Sequence, residues 1–382
     1  MVMDSFAFII HPIDPKHDVS RKYPLLGKIL TENQINFLSS YFPPVYLSEI
    51  EGITSTATGK QIKGWLVACP YTPKRMMDLP VQTVYRKIIQ TGRMAEKLGA
   101  RILGLGAFTS VVGDAGITIA NHLDVPVTTG DSYTISLAIQ ALHEAARLMD
   151  ISLDKATAAV VGATGTIGRV CAEMLAGDVE RLILIARDEE KLEDLRLQLE
   201  TRVKHNRSIK AGAELVTSTK MESVGDAELI LTVTSAIHDI IHPEYIQTGS
   251  VVCDVARPRD VSAMVAAARN DILVIDGGMV DVPGPVNFHF DFGFPEGKAY
   301  ACMAETMALA LEGRFEDYTI GKDITLERVN EITAIAEKHG FHLSGFRSFE
   351  REVTEEQIES VRRNAQRVRS TRGASAIKMR RG

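Results

Sequence analysis

The sequence predicts an α/β protein: a Rossmann-type doubly wound parallel sheet, an N-terminal α/β substrate domain, and C-terminal helices packing back on the cleft. Three observations carry that reading. Six apolar runs between residues 157 and 278 (TAAVVGA, RLILIAR, AELVTS, LILTVTS, SVVCDVA and LVIDGG) alternate with helical or loop segments. They are apolar throughout rather than at every second position, the pattern of strands covered on both faces in a parallel sheet. The first run also feeds a glycine-rich turn, VVGATGTIGR, that opens a helix.

Taken in order, residues 1–155 form the N-terminal domain. Strands are expected at FAFIIH, VYLSEI and GWLVAC, and helices near 81–98 and 131–149. Residues 156–295 form the dinucleotide domain. A loop rich in Gly, Pro and Phe (GGMVDVPGPVNFHFDFGFPEG) then leads to residues 296–350, with one helix around Cys302 and another near 325–339. From Arg362 the chain holds basic residues and no acids, so 351–382 is expected as a flexible, solvated extension or a contact for an acidic partner.

Composition bounds the function. The net charge of -6 argues against a nucleic-acid partner. Four cysteines, at 69, 171, 253 and 302, show neither CxxC nor paired-His spacing, which argues against a disulfide framework and against a zinc site and suits a reducing cytoplasm; no metal is needed to explain the site, and one as an activator stays open. The N-terminal MVMDSFAFIIHPID has no signal-peptide pattern, and no apolar run is long enough to span a bilayer. A soluble cytoplasmic protein is expected, with peripheral membrane contact left open.

In AAVVGATGTIGRVCA the trio Gly162, Gly165 and Gly168 is spaced GxxGxxG rather than GxGxxG. Gly162 allows the tight turn, Gly165 lets backbone approach a pyrophosphate, and Gly168 lets helix and strand pack closely. With Ala163, Thr164, Thr166 and Ile167 they deliver free N–H groups to the phosphates of a dinucleotide. The second strand ends in Arg187 followed by Asp188. An acidic residue there holds a ribose 2′-OH, whereas an arginine suits a 2′-phosphate. Arg187, with Lys191 one turn on, points to NADPH; the alternative is that Asp188 takes the ribose. Ser235, after the fourth strand, is small enough for close cofactor approach. His238 and His242 nearby are acid candidates or plain surface histidines.

Cys302 follows Pro295 and Gly297 closely, so it falls in the first turns of its helix, where free N–H groups and the helix dipole lower a thiol pKa. The alternative is packing, alongside Met303, Met307, Ala310 and Leu311. Cys69, Cys171 and Cys253 read as buried packing residues.

The motifs TSTATGK (54–60), LGAFTSV (105–111), TTGDSYT (128–134), VVGATGTIGR (160–169), LILIARDEEKL (182–192) and AYACMAETMALALEG (299–313) occur in this order. Together they resemble the long-chain acyl-[acyl-carrier-protein] reductases, which make fatty aldehydes. The resemblance runs from about residue 8 to 345. It implies NADPH-dependent reduction of a fatty acyl thioester, on acyl carrier protein or coenzyme A, with the acyl group carried on Cys302. VVCDVARPRDV (251–261) resembles glutamyl-tRNA reductases more weakly, and the nucleotide half resembles shikimate dehydrogenases. The loop ARPRDV and the basic tail depart from the acyl reductase pattern.

Three further candidates join the site. Lys60 either polarises the thioester carbonyl or is a turn-exposed lysine. Asp131, with Thr129 and Ser132, either caps a helix or presents donors to the substrate. Glu305, one turn after Cys302, either tunes the thiol or sits favourably near a helix start. Competing readings are a shikimate- or quinate-like alcohol dehydrogenase working through Lys60 and Asp131, and a non-catalytic NADPH-binding regulator.

Overall fold

The computed structural model describes residues 3–205, 212–234, 240–256, 259–349 and 351–379. The chain divides into two compact units, Met1–Thr134 with Met279–Ser344, and Ile135–Gly278 with Gly345–Gly382.

The first unit begins with β1 (Ser5–Ile10), α1 (Pro15–Lys22), α2 (Pro24–Ile29), α3 (Glu32–Leu38), β2 (Val45–Thr54), β3 (Gln61–Ala68), α4 (Pro73–Asp78) and α5 (Val81–Leu98). It continues with β4 (Leu103–Leu105), α6 (Phe108–Val111), α7 (Ile117–Ala120), β5 (Val127–Thr128) and the start of α8 (Asp131–Leu148). The strands form one sheet in the order β2-β3-β1-β4-β5, parallel except for β2 at the edge. Phe6, Ala7, Phe8 and Ile9 are all buried, which explains why FAFIIH is apolar without alternation. The expected strands and helices of this stretch are present. β4 and β5 were not expected: three and two residues are too few for any periodicity to register.

The second unit carries the doubly wound sheet. After α8 come β6 (Thr157–Val161), α9 (Thr166–Leu175), β7 (Arg181–Ile185), α10 (Glu189–His205), β8 (Glu214–Ser218), β9 (Leu229–Thr232), β10 (Val251–Asp254), α11 (Ala263–Ala268) and β11 (Leu273–Ile275). All six strands are parallel, in the order β11-β10-β9-β6-β7-β8. The chain therefore winds outward one way from β6 and then the other way from β9. Ligands of such sheets bind at the carboxyl ends of the two central strands, where the winding reverses.

The chain then returns to the first unit with β12 (Gly278–Asp281), β13 (Lys298–Ala299), α12 (Ala301–Glu312) and α13 (Leu326–His339). α12 is apolar and buried almost all round, and packs on β1, β3 and β4 and against α13. The last elements are β14 (His342–Ser348), β15 (Arg351–Val353) and α14 (Glu355–Met379). Residues 296–344 thus share a unit with the N-terminal sheet, whereas the sequence pattern sets 296–350 apart.

The tail expected to be flexible contains α14 instead. Thr354 and Gln357 cap each other reciprocally, a capping box legible as TEEQ. Ile358 and Ala365, two turns apart, are buried. Asn364 Nδ2 donates to the Asn270 carbonyl at 3.1 Å and Arg369 Nη2 to the Thr248 carbonyl at 3.0 Å. One tail cation, Arg369, thus holds the chain's own backbone.

Candidate active site and dinucleotide turn

In the first unit, the segments after β5 and before α12 meet. Gly130 has φ +78, and a Cβ there would lie 2.3 Å from both Cα and Cβ of Cys302. No other residue tolerates both the left-handed backbone and that approach. Gly130 therefore brings the first residue of α8, Asp131, beside the second residue of α12, Cys302.

Glu305, fully buried one turn along α12, fixes this junction. The Thr128 hydroxyl donates to Glu305 Oε1 at 2.5 Å, and the Tyr133 backbone N–H donates to Oε2 at 2.8 Å. The Thr319 hydroxyl lies 2.8 Å from Oε1 and 2.9 Å from Ser132 Oγ. A carboxylate of one helix thus satisfies a first-turn N–H of another, an N-cap supplied from a distance. Thr319 has no sequence signal that marks it; Thr128 precedes the motif residues that were singled out. The Thr129 hydroxyl is buried without a geometric hydrogen-bond partner among the described residues, yet it is close enough to help hold the Asp131 charge.

The electrostatics reverse one expectation. Burial, and then the neighbouring Asp131 carboxylate, push the Cys302 thiol up to about 12. A helix N-terminus is worth about 0.3–1 kcal/mol at an exposed site, too little against desolvation and two nearby acids. The same setting pushes Asp131 up to about 7, by burial first and by the Glu305 charge second. Burial also raises Glu305. Cys302 is the one cysteine of the four that is partly exposed; Cys69, Cys171 and Cys253 are buried, as a packing role requires. Cys302, a partly exposed residue, thus carries a thiol that burial keeps protonated, beside an Asp131 carboxyl group pushed up to about 7.

Lys60 does not join this site. Its ammonium pairs with Asp4 at 2.6 Å and donates to the carbonyls of Ala310 and Leu311 at 3.2 and 2.8 Å. Those carbonyls end α12, eight and nine residues beyond Cys302, or about 12–14 Å along the axis. Lys60 satisfies the exposed carbonyls of a helix C-terminus, where cations are favoured. The neighbouring Ser55 lies 2.8 Å from His339 Nδ1, whose Nε2 lies 2.7 Å from Glu312. TSTATGK therefore clamps the far end of α12.

In the second unit, Gly162 has φ +84 and a Cβ on Gly168 would lie 2.2 Å from the Gly162 carbonyl. α9 starts at Thr166 with Gly165 as its N-cap, and no side chain caps its first-turn N–H groups at Thr166, Ile167 and Gly168. A cradle that a side chain would fill, opening on uncapped amides, fits a diphosphate. Ala163 is buried under the turn and Thr164 is half-buried. Arg187 is exposed at the end of β7 and has no partner among the described residues. Asp188 is committed elsewhere: it accepts from the Lys191 backbone N–H at 3.1 Å and pairs with the Lys191 ammonium at 2.9 Å. Lys191 is thereby held by Asp188 instead of reaching out beside Arg187. Ser235 and His238 lie outside the described residues. His242 is exposed and stacks edge-on to Tyr245 at 5.4 Å.

Comparison with known proteins agrees with the motifs. Residues 143–276 match the family model of shikimate / quinate 5-dehydrogenase. The chain is 29% identical over 355 residues to a long-chain acyl-[acyl-carrier-protein] reductase of Synechococcus elongatus, covering 88% of this chain and 98% of that protein. It is 30% identical over 372 residues to aminotransferase PigE of a Serratia species, covering 94% of this chain. The chain spans only 42% of the length of PigE. Among solved structures, the nucleotide-binding domain of glutamyl-tRNA reductase from Thermoplasma volcanium is 13% identical, covering 37% of this chain and 84% of that one, with a TM-score of 0.26. The chain thus resembles a long-chain acyl-[acyl-carrier-protein] reductase over most of its length, and the shikimate / quinate 5-dehydrogenase family over residues 143–276.

Proposed function

We propose that this protein is an NADPH-dependent reductase of long-chain acyl thioesters, forming a fatty aldehyde through an acyl group carried on Cys302. The relatives place it among NAD(P)-dependent reductases. The cofactor is NADPH, because Arg187 stands open at the end of β7 while Asp188 is held by Lys191. The observation that carries the acyl chemistry is the backbone contact of Gly130 with Cys302, which sets Asp131 beside the thiol.

Asp131, as carboxylate, takes the Cys302 proton while the sulfur attacks the acyl carbonyl. The proton then passes to the departing carrier thiol, leaving a thioester on Cys302. Splitting acyl transfer from reduction replaces one difficult step with two easier ones. NADPH, when bound, supplies the hydride that reduces this thioester. The alkoxide left by hydride addition collapses to aldehyde with Cys302 leaving as the thiolate, and a proton taken up from solvent, through the Asp131 carboxylate, restores the thiol.

A shikimate-like alcohol dehydrogenase would need Lys60 and Asp131 to act together. Lys60 sits at the opposite end of α12 from Cys302, and the dehydrogenase family model covers residues 143–276 alone. Intact-mass analysis after incubation with acyl thioesters in the absence of NADPH tests the proposal. An acyl adduct on Cys302 is expected; its absence with both carrier-protein and coenzyme A donors overturns the acyl-enzyme. Arg187→Ala is expected to weaken NADPH binding on the order of tenfold, the equivalent of 1.4 kcal/mol, while leaving NADH binding nearly unchanged.

A further inference from the structure

The first unit exposes a cluster of large apolar side chains on its α1–α3 segment. Leu25, Ile29 and Tyr41 are 73%, 74% and 74% exposed, and Tyr23, Phe37 and Phe42 of the same stretch are exposed too, with Phe37 against Tyr41 at 5.6 Å. Scattered exposed apolar residues are ordinary, but so many in one short helical segment mark a contact surface. The α1–α3 segment is capped and tied down, so it is a built feature. Asp14 and Thr31 cap α1 and α3, and Lys22 Nζ donates to the Leu47 carbonyl at 2.9 Å.

The charge around it has the opposite sign to the chain. Residues 14–46 and 71–87 together hold eight Lys and Arg against four Asp and Glu, in a protein of net charge -6. α4 and α5 bring their cations to the same segment: Arg75 Nε donates to Ser40 Oγ at 2.6 Å and Lys87 Nζ to the Phe42 carbonyl at 2.9 Å.

From this surface an aromatic path leads to the thiol. The Arg21 guanidinium lies where a Cβ on Gly293 would fall, 2.6 Å from it. Gly293 sits between Phe292 and Phe294, whose rings stack at 5.5 Å; Phe294 meets Tyr300 at 4.2 Å, and Tyr300 is the N-cap residue of α12, two before Cys302.

We infer that the α1–α3 segment is an interfacial docking surface for an anionic lipid bilayer. Leucine, isoleucine and phenylalanine enter the headgroup boundary, tyrosines lie at that level, and lysines flank them, which is the makeup of a peripheral membrane anchor. The aromatic contacts from Phe292 to Tyr300 lie between this segment and Cys302, which suits delivery of a long apolar acyl group from lipid; this last clause rests on the function proposed above, whereas the docking itself does not.

The test uses the full chain without thioester or NADPH, so an absent acyl adduct and absent docking are separate results. The protein is floated with vesicles of phosphatidylcholine alone and with vesicles in which about a third of the lipid is phosphatidylglycerol. Flotation with the anionic vesicles is expected, reduced by salt. The double variant Leu25→Glu/Ile29→Glu should bind them weaker by on the order of tenfold or more, and Lys16→Glu/Lys28→Glu should lose the preference for anionic lipid. Both pairs are exposed, and an unchanged thermal melt confirms the fold. No flotation of the wild type, or equal flotation of the Leu25→Glu/Ile29→Glu variant, overturns the inference. So does a self-association, or saturable binding of an acidic acyl carrier protein, that this variant abolishes while vesicles are ignored.

Discussion

The two ends of α12 bear motifs of equal prominence in the sequence, and they do different work. At its N-terminus Cys302, Asp131 and Glu305 are crowded together, with every one of these acids pushed upward by burial. At its C-terminus Lys60, Asp4, His339 and Glu312 pair off with ordinary geometry and satisfy the helix carbonyls. The first arrangement costs stability and raises the pKa of every group in it. The second lowers the energy of the fold and leaves nothing unpaired. A motif residue's charge type says little about which arrangement it enters; its partners do.

The largest test of this contrast is Cys302→Ala. Acyl-thioester reduction should fall by about 10³-fold or more, as for loss of a covalent nucleophile, with NADPH binding intact. Activity near wild type would mean that the N-terminal end of α12 is packing after all.

Asp131→Asn comes next, with turnover expected to fall by about 10²–10⁴-fold. In the wild type the rate of Cys302 acylation should rise as pH passes through about 7, where Asp131 ionises; the variant should lose that step. The stability effect has the opposite sign. Because the folded pKa of Asp131 lies above its ordinary value, its protonated form favours the fold. That contribution is present below about pH 4 and is lost as pH rises toward 7 and beyond. At pH 8, therefore, Asp131→Asn should melt at or above the wild-type temperature, measured by calorimetry. A lowered melting temperature there would sink the reading of Asp131 as a strained, functional group.

Lys60→Met should give the smallest effect on chemistry and the reverse pattern. Loss of the charge-assisted bonds to Ala310 and Leu311 and of the partly exposed pair with Asp4 should destabilise the fold by about 1–2 kcal/mol in denaturant titrations. Turnover of the folded enzyme should change by less than about threefold. A large fall in turnover with unchanged stability would return Lys60 to the catalytic machinery.

Much of this molecule was legible in its sequence. The doubly wound sheet announced itself because strands buried on both faces must be apolar at every position, and a phosphate turn needs glycines at fixed offsets. The helices at 81–98, 131–148 and 326–339 followed from periodicity and caps. Even α14, read as a loose tail from its charge, carried its own start signal in TEEQ and its buried stripe in Ile358 and Ala365. Cys302 stood out through its position at a helix start and the motifs around it.

What the sequence could not contain was proximity between distant segments. Thr128, Asp131, Glu305 and Thr319 come together only because β5, α8, α12 and the loop before α13 meet in one unit. Ionisation follows from that meeting: a helix dipole is local and visible in sequence, whereas desolvation and neighbouring charge depend on everything packed around a group. Local pattern settled which elements form and where a thiol and a phosphate turn would stand. Tertiary packing decided that burial keeps the thiol protonated, that Asp131 stands beside it, and that Lys60 holds the carbonyls at the end of α12.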